Sequence, residues 1–271
     1  MGLRTPSAPG DLVASDALVS WYRREPGSFV ATTEQHLLGN VLPDLFGFHI
    51  VQLGTHHVDD LLRSSRISHK LRVELGGHPD APVHLRCAED ALPLAESTVD
   101  VLVLPHVLEF ADDPRRVLRE AGRVLIGEGH LVVLGFSPWS WYGLSSLVLR
   151  WHGHAPWNGR FISTSRLKDW LQLLGFDIIA LEHAGFRPPL RSGRFNRMTA
   201  FLERLGAHLW PGLGNLYVMV GKKRVEGVTP LRVSWRQRRR VLAGGMVEPS
   251  TRGLGRQRRG DCGDERGGRR A

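Results

Sequence analysis

Between Phe48 and Phe136, short apolar runs alternate with segments of helical periodicity, and this alternation constrains the fold most. Residues 48–53 end at Gly54, residues 70–74 and 83–86 form two shorter runs, and residues 99–104 are rich in valine and stop at Pro105. Residues 130–136 close the series, and each run predicts a strand. Residues 58–65 predict a helix. A stronger one is predicted over 114–125, with Pro114 at its start and Val117, Leu118, Ala121, Val124 and Leu125 along one side. Gly127-Glu128-Gly129 then predicts a turn into the fifth strand. Strands alternating with helices of this length imply parallel βαβ units, and right-handed crossovers wind them into a doubly wound, mostly parallel α/β sheet.

The flanks extend this pattern. Residues 1–10 read as a loose end, and residues 11–24, with Leu12, Leu18, Val19 and Trp21, are compatible with an amphipathic helix. Thr33 suits the cap of a second helix bearing Leu37, Leu38, Val41 and Leu42, which Pro43 interrupts. After an aromatic-rich segment at 139–157, residues 164–174 predict a helix capped by Ser163 or Thr164 and ended by Gly175. Residues 177–181 and 215–220 read as late strands around a helix over 198–209. One domain is therefore expected over 11–224. Beyond 225 no apolar periodicity survives, and Gly and Arg dominate a segment that predicts a disordered tail.

Composition narrows the function classes. Hydrophobic residues make up 42% of the chain and include eight tryptophans, which excludes disorder throughout. The longest apolar stretch, near 126–136, is broken by Gly, Glu and His well short of the ~18 residues a span requires. No cationic start followed by an apolar core opens the chain, so no secretory signal is expected. Cys87 and Cys262 alone do not make a disulfide framework and point to a reducing cytoplasm. The net charge of +9 invites a nucleic-acid partner, but it is unevenly placed. Residues 222–271 carry 15 Lys/Arg against 5 Asp/Glu, leaving 21 against 22 for residues 1–221. The body is nearly neutral.

In an open α/β sheet, ligands bind at the carboxyl ends of the strands, where strand order reverses. Gly54 follows the first strand, where a glycine lets backbone approach a ligand. Glu74 ends the second strand, twenty residues on, where a carboxylate can accept both hydroxyls of a ribose diol. From spacing alone, an ordinary turn at Gly54 and a solvated strand end at Glu74 are the readings to prefer, because a lone glycine match is weak evidence.

The stretch from Arg86 to Phe136 adds more. Ala88-Glu89-Asp90-Ala91-Leu92-Pro93-Leu94, then Ser97 to Val103, then His106-Val107-Leu108-Glu109-Phe110 resembles the class I S-adenosylmethionine-dependent methyltransferases, in particular their type 11 group of small-molecule enzymes. Residues 114–125 followed by Gly127-Glu128-Gly129-His130-Leu131-Val132-Val133 resemble that family's helix, turn and fifth strand. The likeness covers about residues 48–136 and extends to about Gly221, where the late strands suit the family's sixth and seventh. It implies a Rossmann-like methyltransferase fold with a seven-stranded sheet and S-adenosylmethionine as cofactor. Gln52, Gly54, Thr55 and His56 would form the cofactor loop, with Gly54 facing the amino-acid portion. Glu74 would hold the ribose hydroxyls, and Glu89 and Asp90 the adenine. Pro105 and His106 would lie beside the transferable methyl. The chain departs from the family at Gln52, His56 and Val58, where an acid and two further glycines are usual. It also has Ala88 where an acid commonly stands.

Methyl transfer needs alignment of a nucleophile and exclusion of water, and a base only when the acceptor carries a proton of high pKa. His106 is the candidate base; the alternative is a histidine that fills a helix N-terminal turn and bonds backbone. His56-His57 lacks metal-ligand spacing, so no metal is expected, and Cys87 reads as an inert buried thiol. Trp139, Trp141, Tyr142, Trp157 and Arg160 are candidate rim residues for a small or hydrophobic substrate or a membrane surface, or else core packing. The basic tail offers nonspecific contact to nucleic acid or anionic lipid, or is simply solvated. The expected function is S-adenosylmethionine-dependent methylation. A non-catalytic binding or scaffold protein, or an RNA-associated protein acting through its tail, are the alternatives.

Overall fold

The computed structural model describes residues 20–54, 60–75, 85–87, 91–149, 157, 159–186, 212 and 214–225. The chain partitions into two units, Met1–Gly227 and Val228–Ala271, and everything described belongs to the first. The predicted helix over 198–209 and the basic tail beyond 225 lie outside the described residues.

Seven strands form one sheet: β1 (His49–Leu53), β2 (His69–Leu75), β3 (Leu85–Cys87), β4 (Val99–Pro105), β5 (Leu125–Phe136), β6 (Phe176–Ala184) and β7 (Leu216–Lys223). Their order is β3-β2-β1-β4-β5-β7-β6. Pairing is parallel from β3 through β5, while β7 runs antiparallel to both β5 and β6. The order reverses between β1 and β4, and that switch point is where an open α/β sheet takes its ligand. The helices are α1 (Gly27–Val41), the single turn α2 (Val107–Phe110), α3 (Pro114–Val124), α4 (Trp141–Leu149) and α5 (Thr164–Leu173).

Strand alternation divides the core between the two faces. Ile50, Val101, Val103, Val132, Leu134, Phe136, Val218 and Val220 pack with Val30, Leu37, Leu38 and Val41 of α1. Val51, Leu53, Leu102, Leu104, Leu131, Val133 and Met219 pack with α3 and α5 on the other face. Because β4 is covered on both faces, it reads as a continuous apolar run. The side chain of Asp113 accepts from Arg115 N at the start of α3, at 3.0 Å. At its other end, Lys223 Nζ donates to the Gly122 and Leu125 carbonyls, each at 2.8 Å, placing a cation on the negative end of the helix dipole.

Three local expectations are corrected. The helix expected to begin at Thr33 begins at Gly27, and the Thr33 hydroxyl donates back to the Phe29 carbonyl at 2.9 Å instead of capping. Gly127-Glu128-Gly129 is not a turn before β5 but an irregular part of it. Val99 pairs with Leu125 whereas Val101 pairs with His130, so the extra residues on β5 bulge out, with Glu128 at φ +67°. A side chain at Gly129 would meet the carbonyls of Ile126 and Asp100 at 3.0 and 3.1 Å, which is why glycine stands there. Of the helix expected over 58–65, residues 61–64 form only turns, organised by Asp60 accepting from Leu62 N at 3.1 Å.

Candidate functional site

β1 ends at Gly54, whose φ of +87° is a conformation that side chains disfavour. Its N–H donates to the Val73 carbonyl at 2.7 Å, so the chain leaves β1 against β2, where the Glu74 backbone follows directly. Gln52 is 3% exposed, and its Nε2 donates to the Gly54 carbonyl at 2.9 Å, bracing the turn from below. Its Oε1 accepts nothing among the described residues. A buried acceptor left so costs about 1–3 kcal/mol, and a donor supplied by a ligand removes that cost. For Glu74 only the backbone is described, opposite Arg86 on β3, and Thr55, His56, Glu89 and Asp90 lie outside the described residues.

The end of β4 is of another kind. Pro105 pairs with Leu134 of β5, and the His106 N–H donates to the Leu134 carbonyl at 3.1 Å. His106 adopts φ +55° and ψ +14°, a left-handed conformation at the entry to α2, and it is fully buried. Its Nδ1 lies 2.8 Å from Glu109 Oε2 and its Nε2 2.8 Å from Glu34 Oε1. Tyr22 donates to the same Glu34 oxygen at 3.0 Å. The second oxygen of Glu109 accepts the Phe136 N–H, which ties α2 to the end of β5. The Phe136 ring in turn packs 4.3 Å from the imidazole.

Burial alone favours the neutral ring, but the Glu109 and Glu34 carboxylates outweigh it and raise His106 from 6.5 to about 10. At neutral pH the residue is then an imidazolium that donates from both nitrogens. An imidazolium has no lone pair to take a proton, so this arrangement suits a fixed cationic hub and not a base. His106 does fill the helix N-terminal turn, yet its partners are carboxylates and not backbone. Burial and then Glu34 also push the Tyr22 phenol well above its usual value, keeping it a donor.

The five expected rim residues separate. Trp139 and Trp141 are exposed, and so is Arg160, whose N–H donates to the Glu109 carbonyl at 2.8 Å. Tyr142 and Trp157 face inward instead. Tyr142 stacks on Phe136 with centroids 5.6 Å apart, and Trp157 lies 5.4 Å from Tyr142. The inner side of α4 is thus pinned to the sheet by aromatic packing.

Sequence reasoning passed over Tyr22 and Glu34 and took Glu109 only as part of a motif. One signal was present: Glu34 occupies the same helical stripe as Val30, Leu37, Leu38 and Val41. A carboxylate on a buried stripe requires a partner.

Residues 64–133 match a family model described as a methyltransferase domain. The chain is 31% identical over 227 residues to the uncharacterized protein YafS of Escherichia coli K12, covering 84% of this chain and 88% of that one. The chain belongs to the class I S-adenosylmethionine-dependent methyltransferase family. Among solved structures, this methyltransferase-family fold is shared with an S-adenosylmethionine-dependent methyltransferase of Thermotoga maritima. That match has TM-score 0.55 and 22% identity and covers 73% of this chain and 90% of that one. The (4+2)-cyclase SpnF has the same fold, with TM-score 0.52 and 14% identity over 83% of this chain and 99% of its own. These two likenesses speak to fold alone. S-adenosylmethionine is the cofactor of the family, and the residues present fit it: a glycine at positive φ admits a ligand to the backbone, and Gln52 Oε1 has no donor among the described residues. Gln52 in place of the usual acid therefore keeps the acceptor and drops the charge.

Proposed function

We propose that this chain is an S-adenosylmethionine-dependent methyltransferase acting on a small or hydrophobic acceptor. The observation that carries the reading is the Gly54 turn at the switch point, braced by Gln52, whose Oε1 meets no donor among the described residues, with the Glu74 backbone beside it. When bound, the cofactor supplies a methyl group already activated by the sulfonium. Gln52 accepts a donor of its amino-acid portion, Gly54 lets the backbone close on it, and Glu74 accepts the ribose hydroxyls. Thr55, His56, Glu89, Asp90 and Pro105 belong to the same proposed surface.

His106 serves here as a positioning residue. Clamped by Glu34 and Glu109, it sets the path of the chain after Pro105, and through Glu109 it holds that path to the end of β5. No general base is then supplied from this strand end, which suits acceptors that are nucleophilic without deprotonation. The exposed Trp139 and Trp141 support an apolar acceptor.

Calorimetric titration of the full chain with S-adenosylmethionine and S-adenosylhomocysteine tests the reading. Binding is expected, with Glu74→Ala weakening it at least ~tenfold through the loss of charged hydrogen bonds. Absence of binding at millimolar ligand overturns the enzyme and leaves a scaffold on the same fold. Unchanged affinity in Glu74→Ala shows that the ribose contact is misplaced.

A further inference from the structure

In the sheet, β1 is followed outward by β2 and then by β3. The Gly54 turn closes β1 and Glu74 lies near the end of β2, so a cofactor that passes both is directed towards β3. With strands about 4.8 Å apart, its nucleoside end falls over the chain that leaves β3. β3 ends at Cys87, Glu89 and Asp90 follow in sequence, and residues 91–98 lead on to β4. Apart from a single bridge at Ala91, residues 91–98 belong to no strand or helix. Their path is set by the partners that their backbone polar groups find.

Two side chains of α3 supply those partners. Glu120 Oε1 accepts the Leu92 N–H at 2.9 Å. Arg123 Nη2 donates to the Leu92 carbonyl at 3.2 Å and to the Leu94 carbonyl at 2.9 Å. Both backbone polar groups of Leu92 are thus taken by one helix, and its side chain is buried on the same face of the sheet. Glu120 and Arg123 also bond each other, Arg123 Nε to Glu120 Oε2 at 2.9 Å and Nη2 to Oε1 at 2.6 Å, so neither swings away. The backbone of the same turn adds two bonds, Ser97 N–H to the Arg123 carbonyl at 3.0 Å and Thr98 N–H to the Val124 carbonyl at 2.9 Å.

A glutamate and an arginine three residues apart on a helix are ordinary and contribute little by themselves. This pair differs in what it holds, a connection that lies 28 to 31 residues away in the chain. A guanidinium suits the task, since its donors lie in one plane and here serve two carbonyls and a carboxylate together. The bond from Arg123 holds the Glu120 carboxyl below its ordinary range, so the pair stays charged at neutral pH. α3 also begins shortly after α2, whose Glu109 is bonded to His106 at the end of β4. One helix therefore joins the strand end after Pro105 to the chain beyond β3. We propose that Glu120 and Arg123 are positioning residues for the adenosine side of the cofactor, acting through the backbone of Leu92 and Leu94. The proposal rests on the reading that S-adenosylmethionine binds at the Gly54 turn. The action is indirect: the pair orders the chain that meets the base on folding, so binding does not have to order it.

Calorimetric titration of the full chain with S-adenosylhomocysteine and with methylthioadenosine, which keeps the nucleoside and lacks the amino-acid portion, tests this. Arg123→Met and, separately, Glu120→Ala should weaken both ligands about tenfold and by the same factor. Gln52→Ala, at the other end of the ligand, should weaken S-adenosylhomocysteine alone. Glu120→Gln keeps an acceptor for the Leu92 N–H and should restore most of the affinity that Glu120→Ala loses. Lys223→Met removes the cation from the same end of α3 without touching residues 92–94. It should lower the thermal midpoint and leave both affinities at the parent value, which separates positioning from general loosening. If Arg123→Met does not fold, Glu120→Ala against Glu120→Gln carries the test. The proposal is overturned if the folded variants bind both ligands as the parent does, or if Lys223→Met weakens both as much as they do. A loss confined to S-adenosylhomocysteine overturns it too, since it places the effect at the amino-acid end. A parent that binds neither ligand overturns the cofactor reading itself, whereas a parent that binds both beside unaffected variants overturns only this proposal.

Discussion

Two neighbouring regions of this molecule invert the usual placement of polarity. At the end of β4, three ionisable side chains, Glu34, His106 and Glu109, are sealed in the core together with the Tyr22 phenol. A few residues beyond the end of β5, four large apolar side chains of α4 and its approach stand in solvent. Charges tolerate the interior here because each meets a partner at hydrogen-bond distance, and one imidazolium lies between two carboxylates. The apolar ridge has no such internal resolution. The first region draws its partners from within the chain, and the second leaves its apolar side chains exposed.

Breaking the closed region should have the largest effect. His106→Leu leaves Glu34 and Glu109 facing each other in the core without a cation, and should cost about 3–5 kcal/mol in urea unfolding at pH 7. A loss below about 1 kcal/mol would show that the cluster is not charged as described. Next comes pH. The folded imidazole is raised from 6.5 to about 10, so its contribution is fully present below pH 6.5 and is lost as pH rises towards 10. The slope is at most about 1.4 kcal/mol per unit. The thermal midpoint of the parent should therefore fall across that window relative to His106→Gln, and parallel curves would contradict it. Tyr22→Phe removes a donor to Glu34 Oε1, and should cost about 1.5 kcal/mol by the same unfolding measurement. The smallest effect is expected on the open region: Leu147→Asp should change stability by no more than about 0.5 kcal/mol. A large loss there would mean that the ridge packs against this chain after all.

The residues that were easiest to place from sequence are those whose signal is local. The run at 99–104 forms β4, the Pro114 start and apolar stripe form α3, and Gly175 ends the helix before β6, as periodicity and turn chemistry require. The turn after β1 was also legible, because a glycine that closes an apolar run needs only the strand to place it. Less legible was anything that two remote segments decide jointly. Glu34 and His106 are 72 residues apart, and nothing in the helix around Glu34 announces a histidine as its partner. The aromatic segment was ambiguous between rim and core for a related reason. Consecutive helical residues turn about 100° apart, so Trp141 faces out while Tyr142 faces in, and composition alone does not say where the sheet lies.

By itself, then, the sequence determined the α/β alternation and a family resemblance that the matched methyltransferase domain bears out. These follow from backbone geometry, which acts within a few residues. Only the tertiary structure decided that His106 is clamped as a cation between Glu34 and Glu109, and that α4 presents an apolar face to its surroundings. Burial and charge pairing depend on what the fold brings within a few ångströms, whatever the separation along the chain.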